Sequence, residues 1–448
     1  MADVTLTYDA GTVRVEGPGA DESLPAVEAD PRSGTLRAPA HRYAVLRRYL
    51  DERGTAVEDR VLDLPDVGAL RSTYELRAYQ REALDAWAAA DRRGVLELPT
   101  GSGKTVIGLK AVEARSTPTL VVAPTIDLVE QWRSELEAEF EVAVGQLGGG
   151  EQTLAPVTVA TYDSAYLRAE ELGDRFGLVV FDEVHHLGGE GYRDVARLLA
   201  APARLGLTAT FERPDGAHEV VAELVGDRVY AVAPDELAGE HLAPYDVKRV
   251  EVELTPEERA VYEEHQETFV DYLRTANVRL TSGSDYRELV KRSGTDPRAR
   301  EALLAKQRAR EVMLNSDAKL AELERVLDRH REDRVIVFCS HNDTVYRVAE
   351  RFLVPAITHR TGAAERREIL ARFRDGTYAR VVTANVLDEG IDVPDANVAV
   401  VLAGSGSERE FTQRLGRVLR PNEDGGRALL YEVVSAETAE ERVADRRR

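Results

Sequence analysis

Gly94–Thr105 reads GVLELPTGSGKT. The apolar run Val95-Leu96-Glu97-Leu98 ends at Pro99, a glycine-rich turn follows, and Lys104-Thr105 open the apolar-periodic segment VIGLKAVEA. Strand, glycine loop and helix in this order make a phosphate-binding loop. The glycines let backbone N–H groups turn inward, and the helix N-terminus adds partial positive charge. In that reading Thr100, Gly101, Ser102 and Gly103 cradle phosphate, Lys104 reaches the β- and γ-phosphates, and Thr105 holds Mg²⁺. Leu98 stands where the general pattern has glycine, and glycine turns also occur as plain strand–helix connections. The rest of the chain has to decide.

Outward from this stretch, strands alternate with helices, the signature of a parallel sheet. LRAYQREALDAW (76–87) is an amphipathic helix just before the loop. After it come the strand TLVVAP (119–124), the helix TIDLVEQWRSELEAEF (125–140), and three strands, VTVATYDS (157–164), LVVFDEVHH (178–186) and RLGLTAT (204–210). A helical, highly charged stretch follows, and then a second parallel pattern: VIVFCS, PAITHR, ARVVTA, VAVVLAG and RALLYEVVS. Upstream, VTLTYDAGTVRVEG reads as two alternating strands turning at Asp9-Ala10-Gly11, and HRYAVLRRYLDERG as a helix. Arg42, Arg47 and Arg48 on that helix suit either phosphate contacts or, more commonly, a solvated face. VLDLPDVG reads as a linker. The expected organisation is α/β: a small α+β domain over 1–65, one parallel-sheet domain over 70–240, and a second over 241–448 with a helical insertion at about 255–313.

The 448 residues suffice for about three domains, and 43% hydrophobic residues can fill sizeable cores. No run of about 18 apolar residues occurs, so no membrane partner is expected, and a signal peptide is not seen. The single cysteine, Cys339, makes no internal disulfide, four-cysteine zinc site or cysteine-ligated cluster, and a cytoplasmic location fits. The net charge of −21 has the wrong sign for a simple nucleic-acid binder. Few lysines in a dispersed acidic surface suit either adaptation to high salt or an ordinary acidic protein. Any nucleic acid has to be met by a local basic groove.

Three further strings carry chemistry. Asp182-Glu183-Val184-His185 ends a buried apolar strand, where open α/β sheets bind their ligands. Asp182 is expected to take Mg²⁺ through water, Glu183 to orient or deprotonate the attacking water, and His185 to lie with the nucleotide-binding residues. Thr208-Ala209-Thr210 ends the next strand and suits a link between nucleotide and a second ligand. Gln413, Arg417 and Arg420 in QRLGRVLR fall near one helical face and suit stabilisation of phosphoryl transfer from another element.

PTGSGKT, DEVH, TAT, VLDEGIDVP and QRLGRVLRP, in this order, resemble superfamily 2 helicases, and the closer match is to the archaeal XPB family. LRAYQ (76–80), PTIDLVEQW (124–132), PAITHRTG (355–362) and RSGTLRAPAHRY (32–43) resemble the same family. The resemblance implies two tandem RecA-like domains, an N-terminal damage-recognition-like domain and a thumb-like insertion. It implies ATP with Mg²⁺ bound between two lobes, and double-stranded or forked DNA as partner. It implies adenine sensing by Arg77 and Gln80, DNA-backbone contacts by Thr125, Thr161 and Thr383, nucleotide contacts by Gly390 and Asp392, and arginines at the ATP site in Arg417 and Arg420. The family's Arg-Glu-Asp loop, linked to strand separation, corresponds to Arg213-Pro214-Asp215, with proline replacing the acid. The implied activity is an ATP-dependent DNA helicase or translocase of nucleotide excision repair, working as a monomer and associated with a nuclease. An ATP-gated DNA clamp or nuclease-recruiting module, and an RNA remodeller, stay open as other readings.

Overall fold

A computed structural model of the chain describes residues 2–31, 34–99, 101–189, 191–212, 216–233, 245–280, 283–384, 396–402 and 428–438. Thr100, Arg213, Pro214, Asp215, Gly390, Asp392, Gln413, Arg417 and Arg420 lie outside the described residues. The chain divides into two compact units, residues 1–242 and residues 243–388 with 392–448. No helix among the described residues is long and apolar enough to cross a membrane.

The first unit holds two sheets. The smaller contains β1 (Val4–Asp9), β2 (Thr12–Glu16), β3 (Glu28–Ala29), β4 (Leu36–Pro39) and β5 (Val57–Arg60), in the order β3-β4-β2-β1-β5. Ala10 and Gly11 take φ of 46° and 82°, the left-handed pair that closes a two-residue hairpin between β1 and β2. Helix α1 (Tyr43–Glu52) buries Tyr43, Leu46 and Leu50 against this sheet. Its arginines and the preceding Arg42 are held in ion pairs: Arg47 with Asp51 and Asp59, Arg42 with Glu223, Arg48 with Asp91. The last two reach the larger sheet's layer, and Tyr8 Oη donates to Leu198 O at 3.0 Å from the same side.

The larger sheet contains β6 (Arg93–Glu97), β7 (Thr119–Ala123), β8 (Val144–Gly148), β9 (Glu151–Thr153), β10 (Val157–Thr161), β11 (Leu178–Asp182), β12 (Ala203–Thr208) and β13 (Arg228–Ala231). Their order is β13-β6-β12-β11-β7-β10-β8-β9, parallel throughout except that β9 runs antiparallel to β8. Hydrophobic clusters cover both faces, which is why the central strands read as unbroken apolar runs. Helices α2 (Ala78–Ala89), α3 (Lys104–Arg115) and α4 (Ile126–Glu139) supply one layer.

Two strands stop earlier than their apolar runs suggest. β10 ends at Thr161, whose Oγ1 accepts from Ser164 N at 3.1 Å and caps helix α5 (Tyr162–Leu167). β11 ends at Asp182 because Glu183 turns left-handed, with φ of 45°, into a 3₁₀ turn over Val184–Gly188.

The second unit carries β14 (Tyr245–Val252), β15 (Val335–Phe338), β16 (Ala356–Ile357), β17 (Arg380–Thr383), β18 (Val398–Val401) and β19 (Ala428–Ser435) in the order β14-β19-β18-β15-β17-β16, all parallel. Cys339 is buried in its core. The stretch where the insertion is expected forms three helices, Pro256–Thr275, Gly283–Ser293 and Pro297–Leu314. The first starts at a capping box, with Thr255 and Glu258 bonding each other's backbone N–H and Pro256 in the first turn.

Candidate active site

The carboxyl ends of β6, β11 and β12 bring most of the expected residues of the first unit together. The loop after β6 turns through Gly101 and Gly103, both with φ of 77°. The left-handed backbone favours glycine at Gly103, and a Cβ there would lie 2.5 Å from Gln80 Nε2 and displace that amide. Two side chains of α2 pin the loop. Tyr79 Oη and Gln80 Nε2 both donate to Ser102 O, at 2.7 and 2.8 Å. Gln80 Oε1 in turn accepts from Arg77 N at 2.9 Å. Gln80 is therefore a buried strut between the start of α2 and the loop, and Arg77 is exposed at the helix N-cap.

α3 starts at Lys104 without a side-chain cap, so its first N–H groups face the loop. Ser102 Oγ is buried and lacks a hydrogen-bond partner. An unsatisfied hydroxyl beside an uncapped helix N-terminus fits an anion. Lys104 is buried, with Nζ donating to Leu98 O at 3.3 Å and 4.0 Å from Glu183 Oε1. Thr105 is half-buried in the same first turn.

Asp182 is buried and held from three sides. Trp132 Nε1 donates to Oδ2 at 2.9 Å, Glu183 N donates to Oδ1 at 2.9 Å, and Tyr162 Oη donates to its backbone O at 3.1 Å. Burial, then the neighbouring Glu183 charge, push its carboxyl above the ordinary value, against the pull of Trp132 and Lys104. Two adjacent buried carboxylates with one lysine near them are short of positive charge. No group of three or more Asp, Glu, His or Cys that could hold a metal occurs among the described residues. Oxygen donors in so small a number suit Mg²⁺, which is commonly held by one or two carboxylates together with substrate phosphates and water.

His185 joins this cluster to the next strand. Its Nδ1 lies 3.6 Å from Glu183 Oε2 and 3.1 Å from Thr208 Oγ1. Thr208 Oγ1 donates to Thr210 O at 2.9 Å, so the proton shared with His185 is assigned to the imidazole Nδ1. The DEVH and TAT strings are thus one hydrogen-bonded unit.

Thr161 ends β10 and Thr125 follows the neighbouring β7 by two residues, and each hydroxyl caps a helix, Thr125 Oγ1 accepting from Leu128 N at 3.3 Å. Thr383 is fully buried in the second unit, and its Oγ1 donates to Ala384 O at 2.8 Å. Residue reasoning assigned no role to Trp132, Tyr79 or Tyr162. The signal for Trp132 was Gly108 inside α3: a Cβ there would meet the indole at 2.4 Å, so the glycine lets the ring slide beneath the helix to Asp182.

Three family models match the chain: the Xeroderma pigmentosum group B helicase damage recognition domain over residues 6–61, the Type III restriction enzyme res subunit over 73–213, and the ERCC3/RAD25/XPB C-terminal helicase over 300–448. DNA 3'-5' translocase XPB2 of Sulfurisphaera tokodaii is 43% identical over 96% of this chain and 97% of its own length. Putative DNA 3'-5' helicase Rad25 of Halobacterium salinarum is 34% identical over 97% of this chain and 68% of its own. Among solved structures, the Pyrococcus furiosus Hef helicase domain aligns with a TM-score of 0.54 and 21% identity over 83% of this chain and 98% of its own, a likeness of fold.

Proposed function

The chain belongs to the XPB family of DNA helicases, and from that premise we propose that the cluster around Lys104, Asp182 and Glu183 is its ATP-hydrolysing centre. The protein is an ATP-dependent DNA helicase or translocase of DNA repair. The observation that carries the site assignment is the buried, unpartnered Ser102 hydroxyl in a left-handed glycine loop beside Lys104 and the carboxylate pair.

In this proposal the loop N–H groups and Lys104 bind the phosphates, Lys104 exchanging Leu98 O and Glu183 for phosphate oxygens. Thr105 and Asp182 would hold Mg²⁺, which would supply positive charge to the bound phosphates. Trp132 and the Glu183 N–H fix the Asp182 carboxylate. Glu183 orients the attacking water and accepts its proton, and His185 carries its setting to Thr208. Arg417 and Arg420 supply charge to the transferring phosphoryl group, and Gln413 accompanies them. Gly390 and Asp392 contact the nucleotide, and Thr125, Thr161, Thr383, Arg213 and Asp215 belong to the DNA-facing set. The domains follow the same reading: 1–65 damage-recognition-like, 70–240 and 241–448 the two helicase lobes, and about 255–313 the thumb-like insertion. The working form in this reading is a cytoplasmic monomer with a nuclease partner.

Lys104→Ala is expected to lower DNA-stimulated ATP hydrolysis by 10²-fold or more, since it removes a phosphate-binding charge (an estimate of order of magnitude). Hydrolysis at the parent rate sinks the site assignment. Stimulation by RNA equal to that by duplex DNA counts against a DNA substrate. Strand displacement on forked DNA separates a helicase from an ATP-gated clamp.

A further inference from the structure

A cavity of about 480 Å³ lies at the other end of the first unit's large sheet, where α1 meets the starts of β6 and β12. Four guanidinium groups line it: Arg48 of α1, Arg92 and Arg93 of the turn into β6, and Arg115 of the last turn of α3. Two carboxylates share the lining, Asp91 and Asp227, and Asp91 is already paired with Arg48. The lining also includes the apolar Val45 and Val229.

This is an excess of cations in a chain whose acidic residues outnumber its basic ones by 80 to 59. The excess is also poorly compensated. Arg93 Nη1 and Arg115 Nε are buried and lack hydrogen-bond partners. Burial, then Arg42 and Arg48, push the Arg93 guanidinium down to about 10, and burial, then Arg92, lower that of Arg115. The turn that presents Arg92 is strained, since Asp91 and Arg92 are consecutive non-glycine residues with φ of 55° and 58°. Arg92 and Arg48 are exposed at the rim, while the buried, unpartnered N–H groups of Arg93 and Arg115 cost stability unless an anion meets them.

We propose that this cavity binds a phosphate-bearing organic anion of the size of a nucleoside mono- or diphosphate. The arginines take the phosphate, and Val45 and Val229 take the apolar part. The volume lies within the ordinary range of small-ligand pockets. The site is separate from the phosphate loop, because Lys104 and Arg115 stand at opposite ends of α3, roughly 16 Å apart along the axis. A ligand here joins α1 to the end of the helix whose start carries Lys104. The phosphate has two possible sources, a free nucleotide or the 5′-phosphorylated end of a DNA strand.

The test uses the full chain carrying Lys104→Ala, so that the phosphate loop is disabled, and titrates it calorimetrically with adenosine 5′-diphosphate and with inorganic pyrophosphate. One binding event per chain is expected, weakened at least tenfold by Arg92→Ala and by Arg115→Gln, with far-UV circular dichroism and melting temperature used to confirm that each variant is folded. Arg92 is exposed, so its loss leaves the core intact even where Arg115→Gln does not fold. Displacement of pyrophosphate by a 5′-phosphorylated duplex but not by its unphosphorylated twin assigns the DNA end as the source. Displacement by neither assigns a free nucleotide. Absence of binding to the Lys104→Ala chain, or binding that Arg92→Ala leaves unchanged, overturns the proposal.

Discussion

At the scale of single residues, the decisive contact is Trp132 with Asp182. A buried carboxyl raised by desolvation binds a cation only if its ionised form is held in place, and the indole N–H does this at 2.9 Å. Trp132→Phe keeps an aromatic ring beneath Gly108 and removes the donor. The Mg²⁺ concentration that half-saturates ATP hydrolysis is expected to rise by about tenfold or more, the usual effect of losing a partner behind a metal ligand. A magnesium titration of parent and variant checks this, and coincident curves would show that the indole only fills space. Gln80 illustrates a different lesson: a residue assigned to the adenine by resemblance has its amide engaged in holding the loop.

At the scale of elements, the start of β12 and the α1 docking surface carry the largest predicted stability effects. Arg204 is fully buried and donates to four backbone carbonyls, Ala201 O, Ala196 O, Leu224 O and Leu199 O. Three of those carbonyls lie within residues 196–201 and the fourth ends the helix Ala217–Leu224, so the guanidinium ties both stretches to the start of β12. Arg204→Met is expected to destabilise the first unit by roughly 3–5 kcal/mol, because it leaves the acceptors buried and unpaired. Urea denaturation followed by tryptophan fluorescence measures it. His41, in the turn before α1, is buried and neither ring nitrogen makes a hydrogen bond, although Nε2 lies 3.9 Å from Glu223 Oε1; its pKa is pushed down from 6.5 to about 3 by burial first and then by Arg204 and Arg42. The folded state favours neutral imidazole. Its contribution to stability is therefore complete above pH 6.5 and is lost as pH falls towards 3. A melting-temperature profile over that window should fall more steeply for the parent than for His41→Gln; parallel profiles would remove His41 from the account.

At the scale of the molecule, each unit has its own parallel sheet and its own hydrophobic cluster. Separate cores predict two calorimetric transitions. A non-hydrolysable ATP analogue at about 100 times its Kd should stabilise the transition of the first unit by about 2.7 kcal/mol if that unit supplies the phosphate loop. A ligand shift confined to the other transition would contradict the assignment. The acidic surface gives a further expectation at this scale: DNA is met by local basic groups, and binding weakens with added salt.

How much of this was legible in the sequence follows from the range of the interactions. The glycine loop and the parallel sheets were legible because local rules write them: glycine spacing and unbroken apolar runs. The edge strand β14 was missed although VKRVEV alternates, because its partner β19 lies some 180 residues away and only that pairing makes it a strand. Strand ends were misjudged for the same reason. The apolar run of β11 continues into Val184, and it is the left-handed Glu183 that turns the chain and sets the two carboxylates side by side. The sequence by itself determined the glycine loop and the DEVH carboxylates on which the proposed chemistry rests, because both are short contiguous strings. Only the tertiary structure decided how Asp182 is held, that Arg204 is a buried hub, and that four arginines from three separate segments share one cavity. Those are contacts between residues distant in the chain, and no local pattern encodes them.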